Sequence, residues 1–473
     1  MTREIDNVVD NGLCIGCGSC SLGIYQNIGL DRFGRYKATS GLSQEDDQSK
    51  QDRICPFSNN SLNEDDLVSL QGREDELRYD PKIGYFLSLW TGHVKSPPYR
   101  AQGSSGGITS WLLNTLLSYD LVDAVVHVRP VSQGASRDLL FSYQVSRSST
   151  EISLGAKSHY FPVEMSEVLA HIRHTPGRYA VVALPCFAKS LRSLMEVEPV
   201  FKERIAFLIG LFCGHLKSTR FAELLAYQAG FTRKAMTSID FRTKIQGRDA
   251  GDYGYTVSDG IRTITKPMAE VIGRDWGMGI FKYKACDFCD DISAEVADVS
   301  IGDAWLPEYT SDSNGTNIFI ARNQVIHELI VGGLARGELA LDSASVEMAH
   351  NSQAANIRHR IEDLPYRLYV EVWRRGWKPK KRTQPSRQIS TSRKAIQDTR
   401  RLLREKIPVL WVQHEHEDNK YQFFKRLTPL INRYQSLYQP KLPFGHRLKV
   451  RLRIRDRVKR ARSMVKAAIQ RIR

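Results

Sequence analysis

Apolar runs set the first divisions of the chain. Ala180–Leu184 and Ile205–Phe212 are short, continuous and rich in β-branched or aromatic residues, which predicts buried strands. Between about 85 and 345 such runs alternate with a helical period. Ile108 to Leu117 is an example, with Ile108, Trp111, Leu112, Thr115 and Leu116 on one face. This rhythm predicts a mixed α/β body. After Trp377 the chain turns to Lys, Arg, Pro, Gln and Ser through about residue 393, which reads as a linker, and helical patterns follow. The last of these puts Val450, Ile454, Val458, Ala461, Val465, Ala468 and Ile472 on one narrow stripe, with Arg and Lys on the other faces. Residues 1 to about 60 are different again: cysteines surround a polar, acidic segment containing Glu45, Asp46 and Asp47, the pattern of a small cofactor-binding module.

Charge sharpens this division. From Glu371 onward there are 30 Lys and Arg against 7 Asp and Glu, a local charge of +23 in a chain of +16, so residues 1–370 carry −7. A mildly acidic body therefore carries a strongly basic end, which favours an acidic partner or an anionic membrane surface, with nucleic acid the least favoured. The composition, 41% hydrophobic and 25% charged, is that of a globular protein, and 473 residues suffice for two or three domains. The opening MTREIDNVVDNG lacks the basic end and apolar run of an export signal, and no apolar run approaches a membrane span. The expected location is the cytoplasm, with the basic end a candidate contact to the inner face of the membrane.

The eight cysteines carry the chemistry. Cys14-Ile-Gly-Cys17-Gly-Ser-Cys20 puts three thiols within seven residues, with Gly16 and Gly18 freeing the loop to wrap an anion. Such a triplet suits an iron–sulfur cube better than zinc, whose sites usually draw two cysteines from each of two knuckles. No cysteine lies where the bacterial ferredoxin run has its nearby fourth ligand, and Cys55, followed by Pro56, is the replacement. Cys186 and Cys213 each follow an apolar run that reads as a strand, so both can point from strand ends into one site; alone, each reads equally as a small buried hydrophobe. With Cys286-Asp-Phe-Cys289 they complete a second set of four, a second 4Fe-4S cluster with zinc as the rival. Four plus four leaves no cysteine over, although the sets can be crossed, because in two-cluster ferredoxins the Cys-Pro ligand serves the other cluster.

Ser104-Ser105-Gly106-Gly107 opens the helical pattern at Ile108, and small residues at a helix start offer N–H groups and hydroxyls to a phosphate. Alone it reads more often as a simple cap or linker. The order of motifs is more specific: this loop, Gly155-Ala-Lys157-Ser-His-Tyr160, Leu184-Pro-Cys186, Phe212-Cys213-Gly-His215, Phe241-Arg242-Thr-Lys244, then Cys286-x-x-Cys289 with Gly302-Asp303-Ala-Trp305. Over residues 10 to 350 the chain resembles the coenzyme F-420 hydrogenase/dehydrogenase beta-subunit family. The resemblance implies FAD and iron–sulfur clusters, with Ser104, Ser105, Gly106, Gly107, Lys157, Arg242 and Lys244 near flavin or substrate. It also implies a 4Fe-4S segment over 1–60, a flavin/substrate domain over 85–175, a second-cluster domain over 176–350, and a basic linker and helical extension over 371–473. That extension and the missing nearby fourth cysteine depart from the family pattern.

The function expected is an oxidoreductase passing electrons between two 4Fe-4S clusters, FAD and a small organic or deazaflavin substrate, with a ferredoxin-like protein as donor or acceptor. The competing class is a binding protein with structural clusters whose basic end engages nucleic acid or an anionic surface. Asp303 is a candidate for proton transfer or for a simple turn contact, and His171-x-x-His174 reads as a surface pair.

Overall fold

The computed structural model describes residues 4–21, 28–38, 45–72, 74–131, 139–415 and 420–439. The apolar stripe expected from Val450 to Ile472 lies outside them. The expected strands are present as Tyr179–Ala183 and Ile205–Leu211, and the expected helix as Ile108–Ser118.

One eight-stranded mixed sheet organises the body. Its strands in chain order are β1 (Ser88–Val94), β2 (Ala124–Pro130), β3 (Phe141–Ser146), β4 (Tyr179–Ala183), β5 (Ile205–Leu211), β6 (Val299–Asp303), β7 (Asn317–Ala321) and β8 (Leu339–Ser343). Across the sheet they lie in the order β8-β1-β7-β6-β5-β4-β2-β3. The central four, β6, β5, β4 and β2, are parallel, in registers such as Val299 opposite Ile209 and Val181 opposite Leu208. The outer strands join by antiparallel pairing, β7 to β6, β1 to β7, β8 to β1 and β3 to β2. The boundary expected at 175 falls between strands of this one sheet, so the units on either side of it share a core.

Both faces are covered, which is why the parallel strands read as unbroken apolar runs. Val126, Val181 and Leu208 face one core, shared with Leu169, Phe187, Leu191 and the cysteine module's Leu13, Ile15 and Phe57. Their neighbours Val125, Ala180, Val182 and Ile209 face the other, with Trp111, Leu112, Leu116 and Ile326. A third core lies beside the sheet, under the antiparallel strands Ser238–Thr243, Gly254–Ser258 and Thr263–Pro267.

The C-terminal helices belong to this third core. Thr391–Gln413 contributes Ile396, Leu403, Ile407 and Trp411, and Lys420–Ser436 contributes Phe423, Leu427 and Tyr434, all packed with Phe221, Leu225 and Phe281. The stretch expected as a linker is pinned down: Lys381 pairs with Asp290 at 3.0 Å, and Arg382 with Glu295 at 2.7 Å and Asp65 at 3.2 Å. No helix among the described residues is long and apolar enough to cross a membrane.

Candidate functional site

The carboxyl ends of the parallel strands point to one edge of the sheet, where open α/β sheets bind their ligands. Cys186 stands in the first turn of helix Pro185–Val197, directly after β4, and Cys213 follows β5. The structure brings these two together with Cys286 and Cys289: burial pushes the Cys186 thiol well up, and the nearby Cys289, Cys213 and Cys286 push it further. The Leu216 N–H donates to Cys286 Sγ at 3.3 Å. Arg360 is buried against the same group and donates to the Cys213 carbonyl at 2.6 Å. Burial works against its charge, but the thiols of Cys289, Cys213 and Cys286 more than offset this and hold Arg360 above its ordinary value.

Cys14, Cys17, Cys20 and Cys55 form the second gathering. Cys20 is raised by burial and then by Cys17, Cys14 and Cys55. Gly16 and Gly18 have φ of +63° and +86°, and a Cβ on Gly16 would lie 2.3 Å from Tyr36 Cβ, so the wrap of this loop requires glycine. Backbone N–H groups aim at the sulfurs: Ala38 at Cys14 (3.4 Å), with Phe57 and Ser58 donating to Cys55. Such donors stabilise a thiolate more than a neutral thiol, and all eight cysteines are unbridged, so the donor set fits a cluster. The two gatherings border each other, since Cys17 is among the charges raising Cys186. Among the described residues no three His, Cys, Asp or Glu side chains gather tightly enough to hold a single metal ion.

The residues expected around the flavin also converge. Arg242 donates to Asp303 Oδ2 at 2.9 Å and the Tyr160 hydroxyl at 3.2 Å, and its guanidinium lies 4.3 Å from the Tyr253 ring centre. Lys157 Nζ lies 3.4 Å from Asp240 and donates to the Arg242 carbonyl. Lys244 Nζ donates to the carbonyls of Arg100 and, at 3.1 Å, Ser105. Ser104 Oγ accepts from the Ser158 N–H at 2.8 Å, whereas the Ser105 hydroxyl is spent on the Thr316 carbonyl. Gly107, at φ +86°, caps helix Ile108–Ser118. Gly106 is small for a reason other than ligand approach: a Cβ there would meet Asn317 Oδ1 at 2.7 Å and the Gly92 carbonyl at 2.8 Å. Its place against the β1–β7 pair requires glycine.

Two buried cations escaped the sequence reading. Arg360 is one; Lys217 is the other, donating to the Ile280 carbonyl at 2.8 Å beneath the rings of Phe221 and Trp276. Neither sits in a motif, and only the fold brings them to the site. Asp303 is the ion-pair partner of Arg242, and His171 and His174 lie on the exposed side of helix Ser166–His174.

Residues 89–170 match the family model for the N-terminal part of the coenzyme F420 hydrogenase/dehydrogenase beta subunit, and residues 177–347 match the model for the C terminus of that same beta subunit. Together they span just over half the chain, in the order read from the motifs. The chain belongs to the coenzyme F420 hydrogenase/dehydrogenase beta-subunit family, a family of oxidoreductase subunits. Among solved structures it is similar to a chain of the F420-reducing NiFe hydrogenase complex from Methanosarcina barkeri, at 15% identity and a TM-score of 0.47, covering 62% of this chain and 96% of that one. No curated protein matches it.

Proposed function

We propose that the protein is an iron–sulfur flavoprotein oxidoreductase with two 4Fe-4S clusters, one on Cys14, Cys17, Cys20 and Cys55 and one on Cys186, Cys213, Cys286 and Cys289. The observation that carries this reading is the sorting of eight buried or half-buried thiols into two bordering groups of four. A 4Fe-4S cube takes four cysteine ligands, and each group supplies four. FAD supplies the conversion between two-electron chemistry on an organic or deazaflavin substrate and one-electron transfer to a cluster.

The chain's own residues bind and orient. Lys157, Lys244 and Arg242 put three cations beside the Ser104–Gly107 loop, where they hold phosphate or a developing negative charge. Asp303 and Tyr160 fix the guanidinium of Arg242 in its buried place. Helix Pro185–Val197 bridges the two cysteine groups: it carries Cys186, and Ser190 hydrogen-bonds Ser19 at 2.9 Å. The partners proposed are a ferredoxin-like donor or acceptor and a small organic or deazaflavin substrate.

Cys17→Ser and Cys289→Ser test the assignment. Each is expected to remove one electron paramagnetic resonance signal and leave the other. Loss of both signals from either folded variant refutes the two-group partition.

A further inference from the structure

A cavity of about 240 Å³ lies beside the second cysteine group, where the loop after Cys213 meets the segment around Arg360 and the two C-terminal helices. Five Lys and Arg side chains line it against two carboxylates, so its electrostatics favour an anion. Of those carboxylates, Asp287 is already held by Lys282 and by Arg404 at 2.6 Å, and Asp275 is exposed at the rim.

Two of the buried cations, Arg360 and Arg400, lack carboxylate partners among the described residues, and only the thiols beside Arg360 oppose its charge. Arg360 donates to the carbonyls of Cys213, Gly214 and Asp291, and Arg400 to the carbonyl of Gly277. Arg360 Nε, Arg400 Nε and His215 Nε2 have no hydrogen-bond partner, although these residues are only 5%, 7% and 8% exposed. A buried donor left unmade is costly, and the two guanidinium Nε–H groups beside one cavity call for an acceptor.

A hydrogen-bond chain adds a further donor. His359 Nδ1 faces the Gln397 amide nitrogen at 3.1 Å and the Arg393 guanidinium at 3.2 Å, which only donate, so the proton sits on Nε2 and is given to the Tyr438 hydroxyl at 3.2 Å. Tyr434 also donates to that oxygen, at 3.0 Å. With both lone pairs used, the Tyr438 O–H remains as a donor at the cavity wall. The Arg358–Glu362 segment that presents Arg360 is one π-helical turn, a local unwinding that recurs at functional sites.

We propose that this cavity binds a small oxyanion, a phosphate- or carboxylate-bearing molecule, beside the second cysteine group. Arg358, Arg360, Arg400 and Tyr438 lie past the residues that the family models match, so the site belongs to this chain's C-terminal elaboration. It is smaller than a typical drug-sized pocket, which restricts the ligand to a few heavy atoms around the anionic group.

The test is calorimetric titration of the anaerobically purified full chain with inorganic phosphate and, separately, with malonate, repeated on Arg400→Gln and Arg358→Gln. Saturable binding of at least one anion is expected, weakened about tenfold or more in Arg400→Gln, the size of one lost charged hydrogen bond. A smaller loss is expected in Arg358→Gln, whose exposed side chain keeps the variant folded. Phosphate binding assigns a phosphoester ligand, and malonate binding a carboxylate. No saturable binding of either anion at millimolar concentration, or unchanged affinity in both variants, overturns the proposal. Iron content measured on the same samples separates this outcome from loss of a cluster.

Discussion

Single residues show where chemistry and architecture compete for a position. Gly106 stands in a loop whose composition suits phosphate, yet its missing side chain is needed against Asn317, a contact 211 residues away that no local pattern announces. Lys244 shows the opposite case, a motif residue whose surroundings tune it. Burial, then Lys157, Arg100 and Arg242, lower its value to about 8. Its charge is therefore half lost by about pH 8 and mostly gone well before the ordinary lysine value near 10.4. Flavin affinity is expected to fall as pH rises through about 8, with the fall displaced upward by the phosphate itself. Lys244→Gln should bind flavin weakly with little pH dependence there, and Lys244→Arg should hold its affinity to higher pH. Equilibrium dialysis of flavin from pH 7 to 10 reads all three, and identical profiles for wild type and Lys244→Gln would remove Lys244 from the flavin site. For folding the sign is reversed: a cation with a depressed value disfavours the native state at low pH, so this residue's contribution becomes more favourable as pH climbs.

At the scale of elements, the strands were legible and the fate of the C-terminal helices was not. Continuous apolar runs mark β4 and β5 because both of their faces are covered, and their ends carry Cys186 and Cys213 to one edge of the sheet. The segment after Trp377 looked like a linker because Lys, Arg and Pro dominate it, and composition does not reveal that Lys381 and Arg382 are counter-charges for buried Asp290 and Glu295. Likewise, helices rich in Arg and Lys bury Leu403, Ile407, Trp411 and Phe423 as their inner face. Truncation after Lys378 should therefore strip the third core and leave carboxylates unpaired, each broken buried pair costing about 3–5 kcal/mol. The truncated chain is expected to aggregate, whereas one ending after Tyr438 should stay monodisperse with its cofactors. Gel filtration with iron analysis distinguishes them. A soluble, fully loaded product ending at Lys378 would mean that the extension is dispensable.

The whole molecule is a covered sheet with two cysteine groups at and beside one edge, a cationic loop site along that edge, and a C-terminal elaboration closing over the second group. The motif order was enough to give the family, and the family models match the residues between the cysteine module and the C-terminal helices. What the sequence withheld is long-range pairing: Arg360 under the thiols, Tyr438 beside His359, Arg382 against Glu295. Such contacts have no period and no spacing. In the proposed oxidoreductase the eight thiols hold two four-iron clusters electronically linked to a flavin. Quantitation of iron, sulfide, zinc and flavin in anaerobically purified protein tests it most directly. About eight irons with matching sulfide and one flavin per chain are expected; stoichiometric zinc, or fewer than about two irons with no flavin, would refute the assignment.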